Sequence, residues 1–313
     1  MENMVAPGPG LVRSLLYVPG DQRDRLDKAF QRGADALIVD LEDAVAPQKK
    51  ADARIEVADW IAHDATLADA VWLRINADTP EQDLEAITAP IAGVIVPGAE
   101  VDSVARVDEL LTAREDRLGV APGTITVMPL IETARGLLSA VDLASAPRVV
   151  RLAIGRADLA SELGLDVEPE GPEFRTILLQ LVIASSAAGI AAPVAPISTD
   201  FRDLDALRSS TEQLRRLGFR GRTAIHPAQL AIINEVFSPT ANEVQRAQLQ
   251  VAAFEDAELR GSGVIVGEDG RTWCLKVLAK WIPRASHIVL TKLAPSRFGS
   301  CLWLRRSGLV GSG

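Results

Sequence analysis

The stretch VMPLIETARG, residues 127–136, followed after a spacer by RLAIGRAD, residues 151–158, decides how the rest of the chain reads. Two apolar runs each deliver a carboxylate at or just past their C-terminal end: Glu132 after Met128-Pro129-Leu130-Ile131, and Asp158 after Leu152-Ala153-Ile154-Gly155. Between them, Thr133 to Pro147 suit one amphipathic helix. Strand, helix and strand make a βαβ unit whose two parallel strands end on the same edge of a sheet. Two hard oxygen ligands on that edge suit Mg²⁺, which takes one or two protein carboxylates and fills its octahedron with water and substrate.

Outward from this unit the pattern repeats. Leu15–Val18 (stopped by Pro19-Gly20), Ala36–Leu41, Val71–Ile75, Gly93–Val96 (closed by Pro97-Gly98), Ile125–Ile131, Val150–Ile154, Ile190–Val194 and Thr223–Ile225 are eight short strand candidates. Helices are expected from Asp21 to Gly33, Gln48 to His63, Val101 to Arg114, Phe174 to near Gly189, and over the leucine-spaced segment ending at Gly218. Most of the strands are uninterrupted apolar runs, the mark of parallel strands buried on both faces. The fold class is therefore α/β, a (β/α)₈ TIM barrel over residues 11–260 with a C-terminal segment 261–313. Its chemistry belongs at the C-terminal ends of the strands. A doubly wound open sheet is the alternative, weakened because no glycine-rich dinucleotide fingerprint follows any strand. The barrel reading gathers Arg13 and Gly20, Asp40 and Glu42, Arg74, Glu132, Asp158 and His226 at strand ends.

Bulk properties narrow the function. The 313 residues are 48% hydrophobic and 24% charged, enough for a sizeable core, and the net charge of −9 argues against a nucleic-acid partner. There is no basic, apolar leader at Met1–Gly10 and no apolar run of membrane-spanning length, so neither secretion nor a membrane is expected. Both cysteines, Cys274 and Cys301, lie near the C-terminus, which leaves the body without a disulfide or cysteine–zinc framework and suggests a cytoplasmic setting.

Several motifs in order, RSLLYVPGDQRDRLDKA (residues 13–29), ALIVDLEDAV (36–45), KKADAR (49–54), RIN (74–76), LIETARG (130–136) and AIHPAQLAIINEVFSP (224–239), resemble the citrate lyase beta-subunit family. That branch of the phosphoenolpyruvate-binding barrels also holds malyl-CoA and citramalyl-CoA lyases. The resemblance implies a Mg²⁺-dependent carbon–carbon lyase that splits a 3-hydroxyacyl-CoA thioester into an acyl-CoA and an oxo acid, or joins them. It implies Glu132 and Asp158 as metal ligands, with Glu132 also facing the substrate, and Arg74 as the clamp on the substrate carboxylate. Glu42 and Asp43 would hold the metal's waters, and Arg13, Arg23, Arg25 and Lys28 would grip the CoA phosphates. A homotrimer or hexamer is implied by the same analogy.

The chain departs from the family pattern at three places. Gly98 stands where relatives often carry lysine, and Arg156-Ala157 replace an acid near Asp158. No aspartate follows Asp269-Gly270. Beyond Asp269 the chain carries only basic charge and three of the five tryptophans, so Arg271–Gly313 reads as an atypical, poorly ordered tail. These departures keep open a binding protein without turnover; a Mg²⁺-dependent aldolase of free 2-oxo acids, from the same superfamily, is the other alternative, against which the RSLLYVPG start and the RIN motif favour the CoA branch. Asp40 and His226 read as structural.

Overall fold

A computed structural model describes residues 12–63, 69–165, 171–262, 264–266 and 272–274. Eight parallel strands close on themselves in sequence order: β1 (Ser14–Pro19), β2 (Ala36–Asp40), β3 (Val71–Arg74), β4 (Gly93–Val96), β5 (Thr126–Ile131), β6 (Ala153–Ile154), β7 (Val194–Ala195) and β8 (Gly221–Ala224). β8 pairs with β1 through Ser14↔Arg222 and Leu16↔Ala224, so the sheet has no edge. The chain is a TIM barrel, as expected.

The helices that follow the strands are α1 (Arg23–Ala29), α2 (Lys50–His63), α3 (Pro80–Leu84), α4 (Val101–Leu118), α5 (Ala134–Leu138), α6 (Ala140–Ser145), α7 (Arg156–Leu163), α8 (Pro172–Ala188), α9 (Leu204–Leu217) and α10 (Leu230–Phe237). Gly33, Gly189 and Gly218 end helical segments in the left-handed conformation where the sequence puts the stops, while α4 runs past the expected Arg114 to Leu118 and is closed in the same way by Gly119. The single helix expected from Thr133 to Pro147 is two. Ser139, at φ −94° and ψ 11°, ends α5 and starts α6. The seventh strand is also shorter than expected and begins at Val194, because the Ala- and Pro-rich run before it offers little to a ladder.

Strand parity divides the core in two. Leu15, Ala36, Ile38, Trp72, Ile95, Met128, Leu130, Ala153 and Val194 fill the bore, with Tyr17 packed against them. Leu16, Val18, Leu37, Val39, Leu73, Val94, Val127 and Ile154 point outward beneath the helices. This arrangement explains the uninterrupted apolar runs, since both faces of every strand are covered. It also sets the site: continuing the inward parity by one more step lands on Asp40, Arg74 and Glu132 at the C-terminal rim.

The opposite end is a structural closure. Glu115, fully buried on α4, accepts from the backbone N–H of Gly123 (3.0 Å) and Ile125 (2.7 Å). Arg148, held at φ +61°, reaches both Glu115 oxygens at 2.8 and 2.7 Å and also pairs with Asp108. This cluster ties α4 to the entrance of β5.

Contacts divide the chain into residues 1–238 and 239–313. The second unit holds α11 (Ala241–Leu259), whose Thr240 and Glu243 form a reciprocal cap, and the antiparallel pair β9 (Val264–Val266) and β10 (Thr272–Cys274). Apart from residues 272–274, the atypical tail expected over Arg271–Gly313 lies outside the described residues. No helix among the described residues is long and apolar enough to cross a membrane.

Candidate active site

Arg74, the last residue of β3, is the hub of the rim. Its Nε and Nη2 donate to the two oxygens of Asp40 at 2.8 and 2.5 Å, a two-pronged pair between the ends of adjacent strands. Asp40 is fixed in turn by the backbone N–H groups of Glu42 (2.9 Å) and Ala44 (3.2 Å), which turn the chain sharply after β2. On its other side, Arg74 Nη1 lies 2.8 Å from Glu42 Oε2 and 3.3 Å from Asp43 Oδ2. The Glu42 oxygen is nonetheless a buried atom without a hydrogen bond among the described residues. Burial pushes the Glu42 carboxyl up to about 7; Arg74 opposes the shift, and Asp43, Glu132 and Asp40 add to it.

Glu132 follows β5 and half-buries its side chain at the mouth of the bore. One oxygen accepts from the backbone N–H of Gly98 at 2.8 Å. Gly98 donates from φ +52°, a conformation that suits glycine, with open space where a side chain would start. The other Glu132 oxygen leans on Gly155, where an added Cβ would sit 2.3 Å away. Burial raises the Glu132 carboxyl to about 7. The Gly98 N–H opposes that rise, as does Arg74, while the charges of Asp158 and Asp43 reinforce it. Asp158 stands exposed in the first turn of α7, just past β6 rather than on it.

The rim thus brings together five of the expected site residues: Arg74, Glu42, Asp43, Glu132 and Asp158. The basic set is placed differently. Arg13 precedes β1 and so sits at the N-terminal end of the barrel, away from this rim. There its backbone N–H and guanidinium clasp Asp35 at 2.8 Å, and Nη1 donates to Ser238 at 2.7 Å. Arg23 starts α1 and pairs with Asp27 (3.0 Å) and Asp59 (2.7 Å). Arg25 and Lys28 are exposed on the same helix. His226 accepts from the Ala228 N–H through Nδ1 and stacks on Phe201, as a structural histidine would.

Three groups at the rim carry no role in the sequence reading. The Gly98 N–H is a backbone donor and leaves no side-chain signal. Asn76 bonds the Leu41 carbonyl (2.8 Å) and the buried Asp83 (2.7 Å), and takes Lys50 on its carbonyl. Tyr17 lies with its ring centroid 5.1 Å from the Arg74 guanidinium, and its inward parity with Leu15 was there to be read.

The donor set can be tested against a metal. Among the described residues no three His, Cys, Asp or Glu side chains form a metal-holding group. Glu132 and Asp158 interact electrostatically at a rim with an excess of negative charge. That matches Mg²⁺, which keeps most of its shell for water and ligand, and does not match a structural zinc cage. The orphaned Glu42 oxygen suits a water of such a shell.

Comparison with known proteins follows the same line. A family model described as HpcH/HpaI aldolase/citrate lyase matches residues 13–227. A (3S)-malyl-CoA thioesterase of Cereibacter sphaeroides strain KD131 is 37% identical over 263 residues, covering 81% of this chain and 87% of that protein. Citrate lyase subunit beta of Leuconostoc mesenteroides subsp. cremoris is 33% identical over 261 residues, 82% of this chain and 86% of that one. The crystal structure of protein CitE from Mycobacterium tuberculosis with magnesium, acetoacetate and coenzyme A superimposes with a TM-score of 0.69 at 27% identity. It covers 88% of this chain and 98% of that chain. The resemblance carried by the sequence motifs is borne out, and the chain belongs to the HpcH/HpaI aldolase/citrate lyase family.

Proposed function

We propose that the protein is a Mg²⁺-dependent carbon–carbon lyase that cleaves or forms a 3-hydroxyacyl-CoA thioester, of the malyl-, citramalyl- or citryl-CoA kind. The observation that carries this reading is the seating of Glu132. Its carboxylate is half-buried at the mouth of the bore, one oxygen oriented by the Gly98 N–H and the other by contact with Gly155, and Asp158 is within electrostatic reach. Crystal structures of relatives contain magnesium with acetoacetate and coenzyme A, or magnesium with oxaloacetate, which supports the same choice of cofactor and ligand class.

Glu132 and Asp158 would hold the metal. When bound, Mg²⁺ supplies a Lewis acid that stabilises negative charge on an oxygen of the reacting ligand. The chain's own residues do the rest. Asp40 fixes the plane of Arg74 so that its guanidinium faces the ligand's carboxylate, a role for which a two-pronged cation is suited. Glu42 and Asp43 neutralise Arg74 in the free protein and must yield part of that contact when an anion arrives. Arg23, Arg25 and Lys28 on α1 are offered as a landing surface for CoA phosphates, while the position of Arg13 favours a structural task. Assembly as a homotrimer or hexamer in the cytoplasm belongs to the same reading, and sedimentation of the purified chain tests the assembly.

A second reading is favoured by the malyl-CoA thioesterases, at 37% identity. Malyl-CoA separates the two. A lyase yields acetyl-CoA and glyoxylate by breaking a carbon–carbon bond, whereas a thioesterase adds water and yields malate and free CoA thiol. Incubation with Mg²⁺ should release glyoxylate without thiol. Thiol without glyoxylate establishes the thioesterase. Cleavage of free 4-hydroxy-2-oxo acids alone establishes the aldolase, and Mg²⁺ binding with no turnover on malyl-, citramalyl- or citryl-CoA a non-catalytic member.

A further inference from the structure

The outward faces of the barrel helices are not alike. α4 exposes Asp102, Arg106, Glu109 and Arg117, and α9 exposes Glu212 and Arg216, as solvated helices do. α8 carries no charged residue from Thr176 to its end at Ala188, and its outward positions are Thr176, Leu179, Gln180, Ile183, Ser186 and Ala187. Leu179 and Ile183 are 43% and 58% exposed. Packed beside α8, the α5–α6 pair adds Leu138 at 87% and Val141 at 50%, with Asp142 the one charge on α6. A single exposed leucine is ordinary. Four large apolar side chains on adjoining helices form a patch of the kind that marks a protein contact.

Charge also bears on what covers the patch. The chain carries −9, so two copies repel one another over most of their surfaces. An uncharged helix face is where they meet without that repulsion, and it gives a charged partner nothing to be steered by. The spacing on α8 further suits self-docking. Leu179 and Ile183 are one helical turn apart, so an antiparallel crossing lays Leu179 of each copy on Ile183 of the other. The same surface is then used twice, which defines an isologous contact. That crossing brings the exposed Arg175 of each copy to the C-terminal end of the other α8, where the helix dipole favours a cation.

We infer that the α6–α8 face is a two-fold contact between copies of this chain. The inference goes beyond the lyase reading and does not depend on it. A two-fold contact builds an even-numbered assembly, which admits a dimer or the hexamer named above and excludes a lone trimer. The helices involved follow β5 and β6, the strands that lead to Glu132 and Asp158. The contact therefore covers the two βα units that carry the candidate metal seat.

Sedimentation velocity of the full-length protein tests this. The unmodified chain should sediment as an even-numbered oligomer at micromolar concentration. Ile183→Glu and, separately, Leu179→Glu should each halve its mass, because a two-fold contact takes up every substitution twice. Ile55→Glu, at a residue 70% exposed on α2, should leave the mass unchanged. Circular dichroism should match in all four proteins, since none of these side chains is buried. A monomeric or trimeric unmodified protein overturns the inference, as does a folded α8 variant that keeps the full mass. Glyoxylate release from malyl-CoA, followed on the same samples, judges the lyase reading separately.

Discussion

At the scale of single residues, the charged groups of the rim are seated by groups that have no charge of their own. Gly155 allows the Glu132 carboxylate to lie against the backbone, and a Cβ built there would come within 2.3 Å of Oε1 and 2.4 Å of Cγ, so any side chain would force Glu132 to move. Gly155→Ala should therefore displace Glu132 and weaken Mg²⁺ binding by roughly 10–100-fold, as measured by calorimetric titration, while leaving the barrel folded. The acids themselves set a pH dependence. Glu42 and Glu132 are both held up to about 7 by burial, whereas in the unfolded chain they release their protons near 4.5. The native state thus binds more protons between those values. The metal-free protein gains this stability fully below the unfolded pKa and loses it as pH rises through about 7. Mg²⁺ competes with the proton on Glu132, so its affinity should climb over the same window and level off above it. Denaturant midpoints and metal titrations from pH 5 to 8.5 check both halves; a metal affinity that is flat across that range contradicts the seating of the ion on Glu132.

At the scale of elements, chemistry and stability are assigned to opposite ends of the same strands. β5 delivers Glu132 at its exit, while at its entrance Glu115 and Arg148 form a buried pair with side-chain exposures of 0% and 6%. Glu115→Ala would leave Arg148 to Asp108 and Thr112 and would leave the Gly123 and Ile125 N–H groups without their side-chain partner. It should cost about 3–5 kcal/mol in urea unfolding. Mg²⁺ affinity, measured where the variant is still folded, should stay at the unmutated value. The same polarity explains what could be read in the chain and what could not. β4 is found where its apolar run places it, from Gly93 to Val96, because a strand covered on both faces is written as an unbroken run. The break between α5 and α6 carries no proline or glycine to announce it. Arg13 was readable but needed direction as well as proximity, since a residue that precedes a parallel strand lies at the barrel's N-terminal end. Asp40 was passed over as structural, yet by parity with Ala36 and Ile38 it joins the bore and holds Arg74.

For the whole molecule, ring closure makes the parity of each strand depend on all the others. A one-residue slip in β3 would send Arg74 outward among the helices and bring Leu73 into the site. This is why a fold legible from eight apolar runs also fixed which rim residues converge. Contacts made by backbone donors, such as Gly98 to Glu132, stayed hidden because any residue type has an N–H. The ring is nevertheless uneven. β1 and β2 run together from Leu15↔Ala36 to Pro19↔Asp40, while β6 and β7 meet in register only at Ala153↔Val194. A closed sheet with one thin seam does not breathe uniformly, and the amide of Val194, which donates to the Leu152 carbonyl at 2.8 Å, should exchange its proton with solvent sooner than those of Leu37 to Val39. The seam runs beside the segment that leads to Asp158, so an ion shared by Glu132 and Asp158 would act as a latch across β5 and β6. Slower exchange at Val194 on adding Mg²⁺ would reveal it, in a protein not yet given any substrate.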